Sequence, residues 1–150
     1  MTISKQLFAL LFVLSAIGFL DASYLTAEHY LGLVPPCTIT TGCEQVTTSA
    51  YSIVAGIPVA LLGAFFYLIV LAKVLWLWTE KKYEYLRHLA YFTWLGLFAA
   101  IYFTAVQAFI LHAYCQYCLL SALTSTLIFL LAQYASAQQT QSVGTSGPHN

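Results

Sequence analysis

The chain has 150 residues, of which 61% are hydrophobic and only 7% are charged, and its formal net charge is zero. Soluble domains carry about 25% charged residues, so five basic and five acidic side chains cannot cover a water-exposed surface. This composition excludes a soluble globular domain, gives no electrostatic basis for nucleic-acid binding, and predicts that most of the chain contacts membrane lipid.

Four apolar segments are long enough to cross a membrane, which takes about 20 residues in a helix. In chain order they are about 7–27, 57–78, 89–111 and 113–135. The first is long for a cleaved signal peptide. Backbone groups in hydrocarbon must hydrogen-bond within their own segment, so all four are predicted to be helical. The predicted fold class is therefore all-α, an integral membrane four-helix bundle.

The positions of the basic residues predict how the bundle is oriented. Lys81, Lys82 and Arg87 lie between the second and third segments, and Lys5 and Lys73 belong to the same side. The connection between the first and second segments contains no Lys or Arg. We therefore expect a multi-pass protein of the inner, or cytoplasmic, membrane with both termini in the cytoplasm.

The C-terminal segment 136–150 is polar and low in complexity. Such a composition cannot bury enough apolar surface to fold. We expect a membrane domain over 1–135 followed by a disordered cytoplasmic tail.

All four cysteines fall at or near the predicted outer face. Cys37 and Cys43 lie in the first outer connection, and Cys115 and Cys118 lie at the outer end of the fourth segment. This is the oxidising face, on which disulfides form and persist. Four cysteines permit two pairs, and their convergence on one face points to thiol chemistry.

The C-x-x-C pair has the spacing of a redox pair. Cys115 is predicted in the first turn of the fourth helix, with Cys118 on the same face. The positive end of the helix dipole favours a thiolate there. Two alternatives stay open: structural disulfides in a non-enzymatic membrane protein, and a four-cysteine metal site, which the C-x5-C spacing of Cys37 and Cys43 disfavours. No metal is expected.

A relay of thiol–disulfide exchange is the simplest chemistry for two such pairs. Electrons would pass from a soluble dithiol to the loop pair, then to the helix pair, and then to a lipid-soluble acceptor of two electrons. The sequence contains no C-x-x-C-H haem motif, dinucleotide fingerprint or P-loop. A quinone meets the requirement.

These residues match a known pattern: the chain resembles bacterial members of the vitamin K epoxide reductase family over about 20–130. The resemblance rests on Cys37 and Cys43, on Ser49 six residues later, on GIPVALLGAFFY at 56–67 and on CQYC at 115–118. In DsbB-type oxidoreductases, the other four-helix solution, the C-x-x-C pair comes first, so the order of the pairs favours the reductase family.

The resemblance implies a bundle around a quinone pocket, with an extracytoplasmic loop and a short capping helix between the first two spanning helices. It implies a thiol:quinone oxidoreductase that uses ubiquinone or menaquinone, oxidises thioredoxin-like, DsbA-type periplasmic partners and so drives disulfide formation. By position, Cys37 and Cys43 would be the shuttle pair, Cys115 would receive their electrons, and Cys118 would face the quinone. Ser49 would donate a hydrogen bond near a quinone carbonyl or orient the loop.

The sequence departs from the family pattern at three points. Many bacterial members continue into a fused thioredoxin-like domain, whereas this chain is expected to stand alone with a separate partner. Vertebrate members carry an Asn where Val59 aligns and a Tyr where Ala122 aligns. Both substitutions favour plain quinone reduction over the alternative activity, reduction of vitamin K epoxide.

Asp21 and two histidines are the remaining candidates for proton chemistry. Intramembrane carboxylates are costly and often functional, so Asp21 would supply a proton for quinone reduction or tie the loop to the bundle. It would alternatively lie at the outer headgroup level. His29 and His112 lie at the outer edge, either as proton shuttles or merely solvated.

Overall fold

Four long helices make up most of the computed structural model, which describes residues 5–81 and 85–144. They are α1 (Lys5–Leu31), α3 (Val59–Glu80), α4 (Leu86–Ala105, continued by a π-helical turn over Val106–Leu111) and α5 (Gln116–Gly144). Each contains an apolar stretch long enough to cross a membrane. The predicted all-α membrane bundle is confirmed.

The connection between α1 and α3 contains several short elements. They are α2 (Cys43–Thr47), a 3₁₀ turn (Ala50–Ser52) and the antiparallel strands β1 (Ile53–Val54) and β2 (Ile57–Pro58). The predicted short helix is confirmed as α2. The hairpin was not predicted, since strands of two residues leave no periodic pattern. Its turn residues Ala55 and Gly56 both have positive φ, 52° and 81°, as a type I′ turn requires.

The fourth helix differs at both ends from the predicted span of about 113–135. The helix begins at Gln116 rather than 113, because His112 adopts a left-handed conformation (φ 48°) that ends the preceding turn. Cys115 therefore precedes the helix instead of lying in its first turn. The helix continues to Gly144, past the end of the predicted span at 135. The disorder and the cytoplasmic location of the tail stay predictions. Residues 145–150 of the expected tail lie outside the described residues.

The four long helices pack unequally. α1 contacts both α3 and α5 along its length, and α4 contacts α5, whereas α3 and α4 scarcely touch. The order around the bundle is therefore α3–α1–α5–α4. The α3–α4 seam, the gap between these two helices, is the one side at which neighbouring long helices do not close the bundle.

The Tyr67 side chain of α3 passes α1 and forms hydrogen bonds with α5. Its hydroxyl donates to the Ser121 carbonyl at 2.7 Å and lies 2.9 Å from Thr124 Oγ1, and its side chain is 1% exposed. The ring lies directly against Gly18 of α1, where a Cβ atom would overlap it. Gly18 is thus required for α1 and α3 to approach this closely.

Replacing Gly18 with Ala is expected to destabilise the bundle by about 1–3 kcal/mol, because the added methyl group overpacks against the hydrogen-bonded Tyr67 ring. Gly63→Ala is the matched control, since its Cβ would meet only the Ala22 Cβ at an ordinary 3.7 Å. Thermal unfolding in detergent should give a lower Tm for the first variant and an unchanged or higher Tm for the second. Equal Tm values would contradict the close contact.

Candidate functional site

The loop pair, Cys37 and Cys43, forms a disulfide with Cα atoms 5.8 Å apart. Cys43 is the first residue of α2 and is 1% exposed, whereas Cys37 is half-buried. The Cys43 N–H donates to Cys37 Sγ at 3.2 Å, and Thr40 Oγ1 lies 3.1 Å from the same sulfur. One sulfur of the pair therefore faces outward and the other faces the bundle.

Hydrogen bonds hold this loop on the start of α5. The Gln116 side-chain oxygen accepts the backbone N–H groups of Ile39 at 2.9 Å and Thr38 at 3.2 Å. The Tyr117 hydroxyl donates to the Pro36 carbonyl at 3.1 Å. These three hydrogen bonds join residues about eighty positions apart in the sequence. Tertiary contacts therefore set the position of the loop.

The helix pair lies at the N-terminus of α5, and both thiols are free. The Cys115 carbonyl accepts the Leu119 N–H at 3.0 Å, which makes Cys115 the N-cap residue. The Cys115 sulfur lies 3.5 Å from the Cys118 backbone N, which donates to it, in the position that a serine or aspartate oxygen occupies in an ordinary N-cap. The Cys115 N–H in turn donates to Gln107 Oε1 at 2.9 Å.

The pKa of Cys115 is lowered from its ordinary 9.0 to about 7, mainly because the Cys118 thiol donates a hydrogen bond to it. Burial of Cys115 acts in the opposite direction, and the backbone N–H groups of Cys118 and Tyr117 lower the pKa further. The thiolate is the reactive form of cysteine. The lowered pKa therefore favours the reactive form of Cys115.

The two pairs meet in one buried cluster, which we call the cysteine cluster. Cys43 and Cys115 are buried in it with Val46 and Ala113, and Cys37, Leu111, Tyr117 and Cys118 pack around them. Gly42 makes this approach possible: a Cβ atom there would lie 2.7 Å from the Tyr114 backbone nitrogen. The structure thus brings together all four cysteines that the sequence singled out.

A cavity of about 510 Å³ adjoins the cysteine cluster. Its walls come mainly from apolar side chains of α3 and α4, and Cys118 is the one cysteine among its described lining residues. Phe66 and Phe92 stack in its wall with ring centroids 5.4 Å apart. The cavity lies beside the α3–α4 seam, and its lining residues Phe65 and Leu95 are 56% and 62% exposed there.

Ser49, the fifth residue singled out by the sequence, also lines this cavity. Its hydroxyl donates to the Val46 carbonyl at 2.8 Å, between α2 and the 3₁₀ turn. The Ser49 carbonyl accepts both the backbone N–H and the hydroxyl of Ser52. In this geometry Ser49 fixes the backbone of the connection at the cavity wall.

Two glutamines that the sequence reasoning passed over hold the cysteines in place. Gln107 is 2% exposed and is the partner of the Cys115 N–H. A polar side chain in a span without charged residues is a signal of function, and that signal would have found it. The local sequence around Gln116 contains no comparable signal, because the role of Gln116 depends on a loop about eighty positions away in the chain.

Asp21, for which the sequence left a role in proton supply, a tie to the loop and a headgroup position open, lies in the cavity wall. It is 8% exposed, and its Oδ2 atom has no hydrogen-bond partner within the part of the chain that the structure describes. His29 lines the same cavity but is exposed. His112 instead occupies the left-handed turn before Cys115.

Comparison with known proteins gives the same picture as the geometry. The sequence profile of the vitamin K epoxide reductase family matches residues 9–133, well over half of the chain. The chain belongs to the vitamin K epoxide reductase family. No curated protein matches it in a sequence search. The vitamin K epoxide reductase family consists of membrane-embedded oxidoreductases of the quinone and disulfide kind, and the chain has that class of function.

Replacing Cys118 with Ala removes the hydrogen bond to Cys115 and is expected to raise the pKa of Cys115 from about 7 toward 9.0. The rate of alkylation at Cys115, measured against pH with site-resolved mass spectrometry, reports this pKa because only the thiolate reacts. Cys118→Ser keeps a hydroxyl donor and is the control, with a pKa expected between the two. An unchanged midpoint in the alanine variant would show that Cys118 does not stabilise the thiolate.

Proposed function

We propose that this protein is a membrane thiol:quinone oxidoreductase that generates disulfides. It oxidises the dithiol of a soluble, thioredoxin-like protein of the DsbA type and passes two electrons to a quinone, ubiquinone or menaquinone, in the bilayer. The observation that carries this proposal is the cysteine cluster: a disulfide and a dithiol share it, and Cys118 alone faces an apolar cavity.

Cys37 receives the partner, since it is the more exposed sulfur of the loop pair. A partner thiolate forms a bond to Cys37 Sγ, the Cys37–Cys43 bond breaks, and Cys43 leaves as a thiolate. The second partner thiol then displaces Cys37, so the partner leaves oxidised and the loop pair is reduced. Each step is a thiolate attack through a mixed disulfide.

Cys43 passes the electrons inward, because it is buried next to Cys115 in the cysteine cluster. Its thiolate attacks Cys115 of an oxidised helix pair, and Cys118 leaves. Cys37 then displaces Cys115, which restores the loop disulfide and leaves Cys115 and Cys118 as a dithiol. The described structure has this distribution, with the loop pair bonded and the helix pair free.

The cavity beside Cys118 suits a quinone. Its volume of about 510 Å³ falls within the range of about 300–1,000 Å³ typical of small-molecule sites. Flat aromatic walls at Phe66 and Phe92 offer stacking surfaces, and the α3–α4 seam lets a lipid-soluble molecule enter from the side. Ser49 fixes the loop that forms one wall.

Apolar side chains at two positions favour quinone reduction over epoxide reduction. Val59 and Ala122 both line the cavity, and these are the two positions at which the sequence departs from the vertebrate enzymes. Neither side chain has a hydrogen-bonding group, so neither is able to donate to an epoxide oxygen.

The relay is tested by cysteine variants in detergent, with quinone absorbance in the ultraviolet as the readout. The Cys118→Ala variant is expected to insert into the membrane of the expressing cells like the wild type. After purification, it should reduce quinone only at the uncatalysed rate. Cys37→Ala and Cys43→Ala are expected to stop turnover with a thioredoxin-like dithiol but to spare turnover with dithiothreitol, which is small enough to reach the helix pair directly.

Normal turnover by Cys118→Ala would overturn the proposal. Thiol trapping in cells separates the relay from a structural disulfide. In a relay, the Cys115–Cys118 pair changes its redox state with the supply of quinone. A pair that stays oxidised throughout would identify a structural brace.

The proposed orientation has the cysteine cluster on the periplasmic side and both termini in the cytoplasm. The exposed residues Ile39 and Lys81 lie on opposite sides in this orientation. A cysteine placed at Ile39 should react with a membrane-impermeant maleimide in intact cells. A cysteine placed at Lys81 should react only after lysis, and the unsubstituted protein corrects for its own thiols. The reverse pattern would invert the topology and remove the oxidising environment from the relay.

A further inference from the structure

Asp21 is a buried carboxyl group that the relay described above does not use. It lies in α1 and is 8% exposed, and its Oδ2 atom has no hydrogen-bond partner among residues 5–81 and 85–144. A carboxyl group that only braced a helix contact would be paired, because leaving a buried polar atom without a hydrogen bond destabilises the folded protein. An unpartnered carboxyl oxygen beside a cavity therefore points to a group that acts on what the cavity holds.

No Lys or Arg side chain lies with Asp21 among the described residues that line the cavity. The titratable side chains among the described lining residues are Asp21, His29, Tyr51, Tyr67 and Cys118, with no Lys or Arg. An unpaired carboxylate is far costlier to bury than the uncharged acid, so this site favours a carboxyl group that carries its proton. Asp21 is also near enough to both sulfurs of the helix pair for its charge to act on them.

The helix pair supplies two electrons but not two protons. When Cys115 and Cys118 form their disulfide, two electrons leave, together with the protons that the sulfurs still hold. Only a thiolate attacks, and the Cys115 sulfur accepts the Cys118 backbone N–H at 3.5 Å, which suits the anion. The reactive pair is then the Cys115 thiolate with the Cys118 thiol, and it holds one proton. A quinone needs two electrons and two protons to become a quinol, so one proton must come from another group.

We propose that Asp21 donates the second proton to a quinone oxygen beside Cys118, and that His29 returns a proton to Asp21 from water. This inference rests on the proposed function, and it assigns Asp21 as a catalytic acid within it. The step balances: the Cys115–Cys118 bond forms, the quinone gains two electrons, one proton comes from Cys118 and one comes from Asp21. Asp21 is left as a carboxylate and must be reprotonated before the next turnover.

His29 is placed to restore that proton. It lines the same cavity as Asp21 and is exposed, so it contacts water directly. It follows Asp21 by two turns of α1, which is about 12 Å along the helix axis. In the proposed scheme, water that enters beside the exposed His29 after the quinol has left bridges this distance.

Asp21→Asn tests the assignment, because the amide has nearly the same shape as the acid but is not acidic. In single-turnover mixing with ubiquinone, we expect oxidation of the helix pair to slow by about 10²–10⁴-fold, the usual contribution of a general acid. Electron transfer from the loop pair to the helix pair should keep its wild-type rate. Ser15→Ala is the control, since Ser15 is a buried polar residue of α1 whose hydroxyl donates to the Leu11 carbonyl, and it should leave both rates unchanged.

Chemical rescue distinguishes a proton donor from a structural residue. Asp21→Ala leaves space in the cavity wall, and added formic acid should restore at least part of the lost rate, since a small acid is able to occupy that space. A wild-type rate in Asp21→Asn overturns the proposal. Slowing of both electron transfers, or failure of formic acid to rescue Asp21→Ala, also overturns it.

His29→Gln is expected to leave the first turnover unchanged and to slow later turnovers, because reprotonation is needed only after Asp21 has lost its proton. An unchanged steady-state rate would remove His29 from the scheme and leave Asp21 to be reprotonated by water alone. If the wild-type protein itself fails to reduce quinone, the proposed function fails together with this inference. If quinone reduction does not depend on Asp21, this inference is overturned, but the proposed thiol:quinone oxidoreductase function still stands.

Discussion

The contact between the loop and the start of α5 is the interaction on which the whole site depends. Gln116 makes it with one side-chain oxygen, which accepts the N–H groups of Thr38 and Ile39. Gly42 permits it, because any larger residue would collide with the backbone at Tyr114. Without this contact, nothing would hold Cys43 beside Cys115, and the two cysteine pairs would lie apart on one membrane face.

The turn before α5 supplies hydrogen-bond acceptors for backbone N–H groups at the start of that helix. The first N–H groups of a helix have no partner within it. Here the Cys115 sulfur accepts one of them, from Cys118, and the buried Gln107 oxygen accepts the N–H of Cys115 itself. These hydrogen bonds satisfy the backbone and also hold the Cys115 sulfur in place. The bond to the sulfur in addition stabilises its thiolate, so the helix start and the reactivity of Cys115 depend on the same contacts.

Unequal helix packing provides the cavity next to these sulfurs. Tyr67 ties α3 to α5 across Gly18, and α4 packs extensively against α5 but only slightly against α3. The bundle is therefore tight around α1 and open at the α3–α4 seam. In lipid, an opening of this kind exposes no backbone to water, because each helix satisfies its own hydrogen bonds. A lateral entrance is thus less costly here than it would be in a soluble protein.

The sequence by itself determined the class of fold, the four spans, the two cysteine pairs and their common face, because hydrophobic length and charge position are properties of single segments. It also identified Ser49 and Asp21 as candidates. Tertiary structure decided the rest: that Cys115 caps α5 instead of lying in it, that Gln107 and Gln116 hold the cysteines, and that Asp21 faces a cavity without a hydrogen-bond partner for its Oδ2 atom. These features depend on contacts between residues far apart in the chain, and such contacts leave no local pattern to read.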